Sequence, residues 1–268
     1  MKLNAFFSRH PVFTTTEVAE FLRQRGSDNR WTQKALLAYH EEQGHIVRLQ
    51  RGLYANVPSG VDPRDVSIDP YLVASKLTDD AVLAYHTALE FQGKAHSTFN
   101  RYFYLTTHRT RPCSIRSQTF RGVLAPKALR EKGKELAHVK DYDRSGLSVS
   151  VTTLERTLVD VLDRPKLAGG WEEIWRSLNS VEFFNLDVVV EYALLLDNAT
   201  TIAKVGYFLE QHRRRLMVEG SHLEALKRRR PKQPHYMDRN APGENQLEGE
   251  WNLVVPTDVA ERNWENVR

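Results

Sequence analysis

The order of elements near the N-terminus follows from residues 14–57, which read TTTEVAEFLRQRGSDNRWTQKALLAYHEEQGHIVRLQRGLYANV. Hydroxyl side chains at residues 14–16 precede an apolar pattern of helical period and predict the start of a helix. Residues 26–29 predict a turn, and a second helix follows over about residues 30–43. Two short β-rich runs joined at Gly52, a residue type that tolerates positive φ, then predict a hairpin.

Helix, turn, helix and basic hairpin in this order predict a winged helix-turn-helix over residues 1–60. The second helix would enter the major groove of double-stranded DNA, with the hairpin on phosphates or in the minor groove. The helical pattern allows either Trp31 or Leu36 at the centre of its buried face. In both cases the outward side chains are the same, and the predicted DNA contacts are Thr15, Thr16, Arg30, Gln33, Lys34, Leu37, Arg48, Gln50 and Arg51. A helical domain that docks on protein is the alternative, since Glu41 and Glu42 make the helix less basic.

Residues 61–268 are predicted to form a mixed α/β C-terminal domain, so the fold class is α+β. A length of 268 residues is consistent with about two domains. Residues 61–93 predict a helical connection, with helices over 70–77 and 79–91. Residues 94–268 predict a small sheet and several helices. The predicted strands cover residues 99–107, 118–124 and 147–151, with a final strand over 251–256 able to return to that sheet. One helix is predicted to follow the threonines at 152–153, with Leu154, Leu158, Val161 and Leu162 on one face. Further helices are predicted over residues 171–178, 186–196, 201–218 and 221–229.

The net charge of +4 is distributed unevenly. Lys and Arg exceed Asp and Glu by three in residues 1–60, by nine in 94–140 and by six in 201–239. Such blocks predict surfaces with separate electrostatic roles. The basic side chains expected on the surface of the C-terminal domain are Arg101, Arg109, Arg111, Arg116, Arg121, Arg213, Arg214, Lys227, Arg228 and Arg229. They suit DNA, RNA or an acidic protein, so a basic interaction module without sequence-specific DNA binding is a further alternative. The aromatic residues between them are expected on the buried face of the sheet.

The nearest approach to a catalytic cluster is Glu155, Asp160 and Asp163 followed by Lys166. It motivates a metal-dependent nuclease or another nucleic-acid-processing enzyme as an alternative. The favoured interpretation is a non-catalytic helix with a capping box of Thr152 and Glu155 and a solvated acidic face. Since the sequence contains no glycine-rich phosphate loop, zinc-protease motif or nucleophile elbow, we predict no catalytic residue, no metal and no cofactor.

The same sequence predicts a cytoplasmic protein that does not enter membranes. Its apolar runs are far shorter than the roughly 18 residues that a membrane span needs. Residues 1–7 lack the apolar core and cleavage site of a signal peptide. One cysteine, Cys113, excludes an intramolecular disulfide and a multi-cysteine metal site, which fits a reducing compartment.

Three stretches together carry a family resemblance. They are RLQRGLY at residues 48–54; TTLERTLVDVLDRP at 152–165 with Gly169 and Gly170; and HLEALK at 222–227 with Pro231, Pro234, Tyr236 and WNLVVP at 251–256. The chain resembles the AbiEi family of antitoxins of type IV toxin–antitoxin systems, also described as transcriptional regulators of viral defence systems. The resemblance implies a winged-helix domain followed by a mixed α/β domain. It further implies repression of the protein's own two-gene operon through its promoter DNA, and opposition to a nucleotidyltransferase-type toxin, with a direct complex left open. It marks no catalytic residue.

Overall fold

A computed structural model describes residues 3–241, 243–262 and 264. Met1 and Lys2, part of the segment predicted not to be a signal peptide, lie outside this range. Helices and strands both occur, which confirms the predicted α+β class. The chain divides into two compact units. One holds the residues up to 83 with 100–123 and 141–151, and the other holds 84–99, 124–140 and the chain from 152 onward. The domain boundary at residue 60 stays a prediction.

The N-terminal part of the first unit contains the predicted order of helix, turn, helix and hairpin. Its elements are α1 (Asn4–Phe7), β1 (Val12–Thr14), α2 (Thr15–Arg23), α3 (Arg30–Glu42), β2 (Ile46–Gln50) and β3 (Leu53–Asn56). The short elements α1 and β1 were not predicted. Strand β3 lies between β1 and β2 and pairs antiparallel with both. The hairpin therefore supplies the central strand, β3, and one edge strand, β2, of a three-stranded sheet.

Both long helices of this part begin at side-chain caps. The Thr14 hydroxyl accepts a hydrogen bond from the Glu17 backbone N–H at 3.2 Å, and the Glu17 carboxylate accepts one from the Thr14 N–H at 2.8 Å. This reciprocal pair is a capping box. The Asn29 side chain accepts from the Trp31 N–H at 2.8 Å and starts α3. The turn between the hairpin strands uses Gly52 at φ 83°. These local signals explain why the sequence located the elements correctly.

The core of this part corrects the predicted orientation of α3. Its buried residues are Leu3, Phe6, Phe7, Phe13, Val18, Leu22, Leu37, Ile46 and Tyr54. Leu37, predicted to point outward, is only 4% exposed, whereas Trp31 is 80% exposed. The prediction that Leu37 points outward is therefore wrong. The helix orientation that places Trp31 at the centre of the buried face is also wrong. The phenylalanines of α1 and β1 supply the large core side chains, so the side of α3 that carries Leu37 faces them.

The first unit also contains most of a six-stranded sheet. Its remaining elements are α4 (Pro70–Ser75), β4 (Val82–Leu83), β5 (Arg101–Thr106), β6 (Cys113–Ile115), β7 (Gln118–Leu124), β8 (Val139–Arg144) and β9 (Leu147–Thr152). The strand order is β6-β7-β5-β4-β9-β8. Strands β5, β7 and β9 were predicted. As expected, the aromatic side chains of β5 are buried.

The helix predicted over residues 79–91 is wrong in its first half. Residues 82–83 form β4, which pairs antiparallel with β5 and parallel with β9. Both of its residues are buried at the centre of the sheet, where partners on two sides satisfy the backbone. The chain then turns at Tyr85, which has φ 56°, and a short helix α5 (His86–Phe91) follows.

The second unit is mainly helical. Besides α5, it contains α6 (Lys127–Glu131), α7 (Leu154–Asp163), a 3-10 turn (Pro165–Leu167), α8 (Trp171–Asn179), α9 (Leu186–Leu196), α10 (Ala199–Gln211), α11 (Gly220–Lys227), β10 (His235–Tyr236), β11 (Asn245–Glu248), β12 (Leu253–Pro256) and α12 (Thr257–Glu261). Strand β12 pairs parallel with β10 and antiparallel with β11. The prediction that residues 251–256 return to the larger sheet is therefore wrong, because β12 finds its partners nearby in sequence and packs on α10.

Helix α7 has no solvated acidic face, in contrast to the prediction. It is packed by α5, α9 and α10, and Asp160 on it is 2% exposed. The N-cap is Thr153, whose hydroxyl accepts from the Arg156 N–H at 3.4 Å. The predicted box of Thr152 and Glu155 is not formed. The Glu155 carboxylate instead accepts from the Asn185 N–H at 3.2 Å, since α9 begins beside it.

His212, just after α10, predicts a pH dependence of stability. Burial lowers its pKa to about 4, helped by the neighbouring Arg262 and Arg215. Its Nδ1–H donates to the Phe208 carbonyl oxygen at 2.7 Å, which raises the pKa. Burial outweighs this bond, so the ring in the folded protein is neutral at pH 7. In the unfolded chain the ring titrates near 6.5, and falling pH therefore protonates the unfolded state first. We expect this residue to remove about 3 kcal/mol of unfolding free energy between pH 7 and pH 4.

Urea unfolding at several pH values measures this effect. His212→Gln should flatten the loss of stability between pH 6.5 and pH 4. His108→Gln, at a histidine whose side chain is 63% exposed, should leave it unchanged. An equal pH dependence in wild type and His212→Gln would contradict the assignment.

Candidate nucleic-acid interface

A groove of about 760 Å³ opens between the start of α2, α3 and the hairpin. Eight of the nine side chains predicted to contact DNA line it: Thr15, Thr16, Arg30, Gln33, Lys34, Leu37, Arg48 and Arg51. Gln50, the ninth, lies on β2 outside the lining. Residues that are far apart in the sequence are thus brought to one concave surface of the first unit.

The roles of these side chains differ with their burial. Thr16, Arg30, Lys34, Arg48 and Arg51 are exposed. Thr15, Gln33 and Gln50 are half-buried. Buried Leu37 forms part of the wall, so it is a core residue rather than an outward-pointing contact.

Two hydrogen bonds hold the walls of the groove together. The Gln33 side-chain amide donates to the Thr15 carbonyl oxygen and links α3 to α2. The Thr15 N–H donates to the Gly52 carbonyl oxygen at 2.9 Å and links α2 to the hairpin. Gln33 is therefore engaged in positioning the helices. The exposed basic side chains project from a preorganised frame.

The groove is basic at one end and acidic at the other. Within the described ranges, none of the four cations Arg30, Lys34, Arg48 and Arg51 has a carboxylate within 4.0 Å. Glu41, the second-last residue of α3, also lines the groove. Unpaired cations attract phosphates, and a carboxylate repels them. The basic end, near the N-terminus of α3, is thus the part suited to nucleic acid.

Sequence reasoning missed six residues of this region. Ala19, Ala38, Glu41, Gly52 and Tyr54 line the groove. Trp31 stands out from α3 with 80% exposure. The signal that could have found Trp31 was the second of the two helix orientations. With Leu36 at the centre of the buried face, Trp31 lies on the outside.

The basic residues predicted on the C-terminal domain fall in both compact units. Arg101, Arg109, Arg111 and Arg121 are exposed in the first unit, and Arg213, Arg214, Arg228 and Arg229 are exposed in the second. Two others have structural partners. The Arg116 guanidinium donates to the Val66 and Pro63 carbonyl oxygens at 2.5 and 3.0 Å. Lys227 pairs with Glu250 and lies over the Trp251 ring.

The residues that motivated a nuclease do not form one open site. Asp160 is buried against Arg156, and Asp163 accepts from the Thr201 hydroxyl at 2.5 Å. Glu155 binds the start of α9, as described above. Lys166 is exposed on the 3-10 turn. Each carboxylate is thus committed to a different protein partner.

Among the described residues, one group has metal-ligand proximity: Asp79, Asp80 and His108, with ligand atoms within 4.8 Å of one another. Burial raises the pKa of Asp80, but hydrogen bonds from Thr106 and Thr107 outweigh this and lower it to about 2. Asp80 is therefore an anion already satisfied by protein donors, and the other two residues are exposed. We assign no metal to this group.

Comparison with known proteins addresses the same region. Residues 1–57 match the family described as transcriptional regulator, AbiEi antitoxin. The match confirms the AbiEi resemblance for this segment, and the whole groove lies inside it. The crystal structure of the RV2827C protein from Mycobacterium tuberculosis is similar to the full chain, with a TM-score of 0.61 at 17% identity. The similarity covers 99% of this chain and 94% of that one, and it shows a shared fold. No curated protein matches the chain. Within the ranges given above, no helix has the length and apolar character of a membrane span.

Proposed function

We propose that this protein is a DNA-binding transcriptional regulator and antitoxin that represses its own two-gene operon and counters a nucleotidyltransferase-type toxin. The observation that carries the DNA-binding part is the α2–α3–hairpin groove. Its four basic side chains have no carboxylate partner within 4.0 Å in the part of the chain that the structure describes. The AbiEi match over residues 1–57 supports the regulatory role. The antitoxin role rests on that family description, and a direct complex with the toxin is left open.

The geometry suggests how DNA would be held. Helix α3 has 13 residues, about 20 Å of helix, and its width fits the major groove of B-DNA. Arg30 and Lys34 would reach base edges from the N-terminal half of α3. Arg48 and Arg51 of the hairpin would hold phosphates, and Thr15 and Thr16 at the start of α2 would offer hydroxyl groups to the same strand. The carboxylate of Glu41 would be repelled by the DNA phosphates, so the C-terminal half of α3 would lie farther from the DNA backbone.

Charge removal at the groove tests this proposal. Arg51→Ala should weaken binding to any DNA and reduce the slope of log affinity against log salt by about 1. Lys34→Ala should weaken binding to the protein's own upstream region more than to a scrambled fragment. We expect the double variant to bind the upstream region about tenfold or more weakly, and to release a reporter gene placed behind it.

The matched control removes a charge outside the groove. Lys127 is exposed on α6 and pairs with Glu131, so Lys127→Ala should change neither affinity nor slope. Unchanged affinity and salt slope in the Lys34→Ala/Arg51→Ala protein would rule out these contacts. Co-purification with the product of the neighbouring gene tests whether the antitoxin forms a direct complex with the toxin.

We also infer that the protein acts by binding rather than by catalysis. Support comes from the buried or paired state of the acidic residues on α7. Incubation of DNA and RNA with the purified protein and magnesium or manganese checks this. Cleavage lost in Asp160→Asn would overturn it.

A further inference from the structure

The outward face of α3 carries an apolar strip. Trp31 is 80% exposed, and Ala35 and Ala38 are exposed beside it. Positions four and seven residues apart lie on the same side of a helix. We call these three residues the α3 strip. It is opposite to the side that carries Leu37 into the core, so nothing in the described N-terminal part of the chain covers it.

Cations border the α3 strip on one side. The Lys34 ammonium lies 5.4 Å from the centroid of the Trp31 ring, a cation–π contact that helps to hold the indole in place. Arg30 precedes it on the same turn, and Arg48 and Arg51 face the groove from the hairpin. Exposed Glu42, four residues after Ala38, continues the strip at its C-terminal end, so the cations lie beside its N-terminal end. At that end, a partner must present an apolar group within strongly negative surroundings.

The major groove of DNA has this combination. Phosphates flank it, and the 5-methyl group of thymine is the apolar group among the base edges that it displays. A protein partner with an apolar patch would bury Trp31, but it would leave the surrounding cations without negatively charged groups to bind. The charge next to the strip favours DNA over a second copy of this chain.

We infer that the α3 strip reads thymine: Trp31, together with Ala35 and Ala38, contacts thymine 5-methyl groups in the major groove. The inference rests on the proposed function and adds which base the helix selects. Each buried methyl group is worth about fourfold in affinity, and two are worth about fifteenfold. Arg30 and Lys34 would then read acceptor groups of the bases on either side.

Uracil-containing DNA tests the inference directly. The region upstream of the gene is amplified with dTTP or with dUTP; uracil keeps the pairing and the O4 acceptor of thymine but lacks the methyl group. Fluorescence anisotropy with the full-length protein should show at least tenfold weaker binding to the uracil fragment. Trp31→Ala should bring the ratio of the two affinities close to one, and Trp31→Phe should retain part of it.

The control replaces an exposed aromatic residue elsewhere. Phe183 is 67% exposed in the second unit, and Phe183→Ala should keep the wild-type ratio. Equal affinity of the wild-type protein for both fragments, or an unchanged ratio in Trp31→Ala, would overturn the inference and leave the proposed function standing. Loss of self-association in Trp31→Ala, seen by light scattering with the ratio unchanged, would also overturn it and assign the strip to a contact between copies. Failure of the wild-type protein to prefer the thymine fragment over a scrambled one would instead contradict the proposed function.

Discussion

Replacing Asp160 with alanine is expected to lower the free energy of unfolding by about 3–5 kcal/mol, because it leaves a buried arginine without its counter-ion. Arg156 is 0% exposed and donates from Nε to the Asp160 carboxylate at 3.2 Å. Its Nη1 donates to the carbonyl oxygens of Glu135 and Ala137 at 2.7 and 2.6 Å. The Tyr192 hydroxyl donates to the other Asp160 oxygen at 2.8 Å. This network joins α7, α9 and the segment before β8.

Removing the arginine instead, in Arg156→Ala, should lower the free energy of unfolding by less than Asp160→Ala does. Burial raises the pKa of Asp160, so in Arg156→Ala the carboxyl can take up a proton, whereas a guanidinium cannot lose one. Urea unfolding compares the two variants with Glu172→Ala, which breaks the pair of Arg176 and Glu172. The two side chains of that pair are 34% and 57% exposed, and the pair is worth about 0.5 kcal/mol. If Asp160→Ala fails to fold, Asp160→Asn supplies the comparison. An Asp160→Ala protein within 1 kcal/mol of wild type would contradict the role of this pair.

Trp251→Ala is the second substitution with a large expected effect, again about 3–5 kcal/mol of unfolding free energy. The indole is 0% exposed and lies against α10 at Gly206. Its Nε1–H donates to the Glu210 carboxylate at 2.6 Å. Truncation would leave a cavity between α10 and the small C-terminal sheet and remove the donor for Glu210. Thermal or urea unfolding measures the loss.

Adding a methyl group to α10 at Gly206 tests the same contact between the helix and the indole. A Cβ at Gly206 would lie 2.1 Å from two ring atoms of Trp251, so Gly206→Ala should destabilise by about 1–3 kcal/mol although alanine favours helices. Gly220, at the start of α11, has open space around a built Cβ, so Gly220→Ala should be neutral or slightly stabilising. Equal stabilities of these two variants would show that the indole does not pack on α10 as described. Trp251→Phe in the Gly206→Ala background should recover part of the loss.

The candidate site was largely accessible from sequence, since helix order and basic composition identify the elements that bring its residues together. Arg30, Lys34, Arg48 and Arg51 could be named because they are charged residues on or next to elements with strong boundary signals. Leu37 points outward in both orientations that the helical pattern allows, so its burial among the phenylalanines of α1 and β1 could not be read from that pattern. The exposure of Trp31 was left open because the pattern fits both orientations, and the α3 strip became visible only in three dimensions.

The sequence by itself determined where α2 and α3 begin and where the hairpin turns. Capping at Thr14 and Asn29 and the positive φ of Gly52 involve backbone groups only a few residues away. The tertiary structure alone decided three other features: the buried side of α3, the strand at residues 82–83 and the burial of Asp160. Each depends on partners distant in sequence: the phenylalanines of α1 and β1, the strands β5 and β9, and the helices α9 and α10. A local pattern states which residues are apolar or charged, but the element that packs against them decides whether they meet solvent.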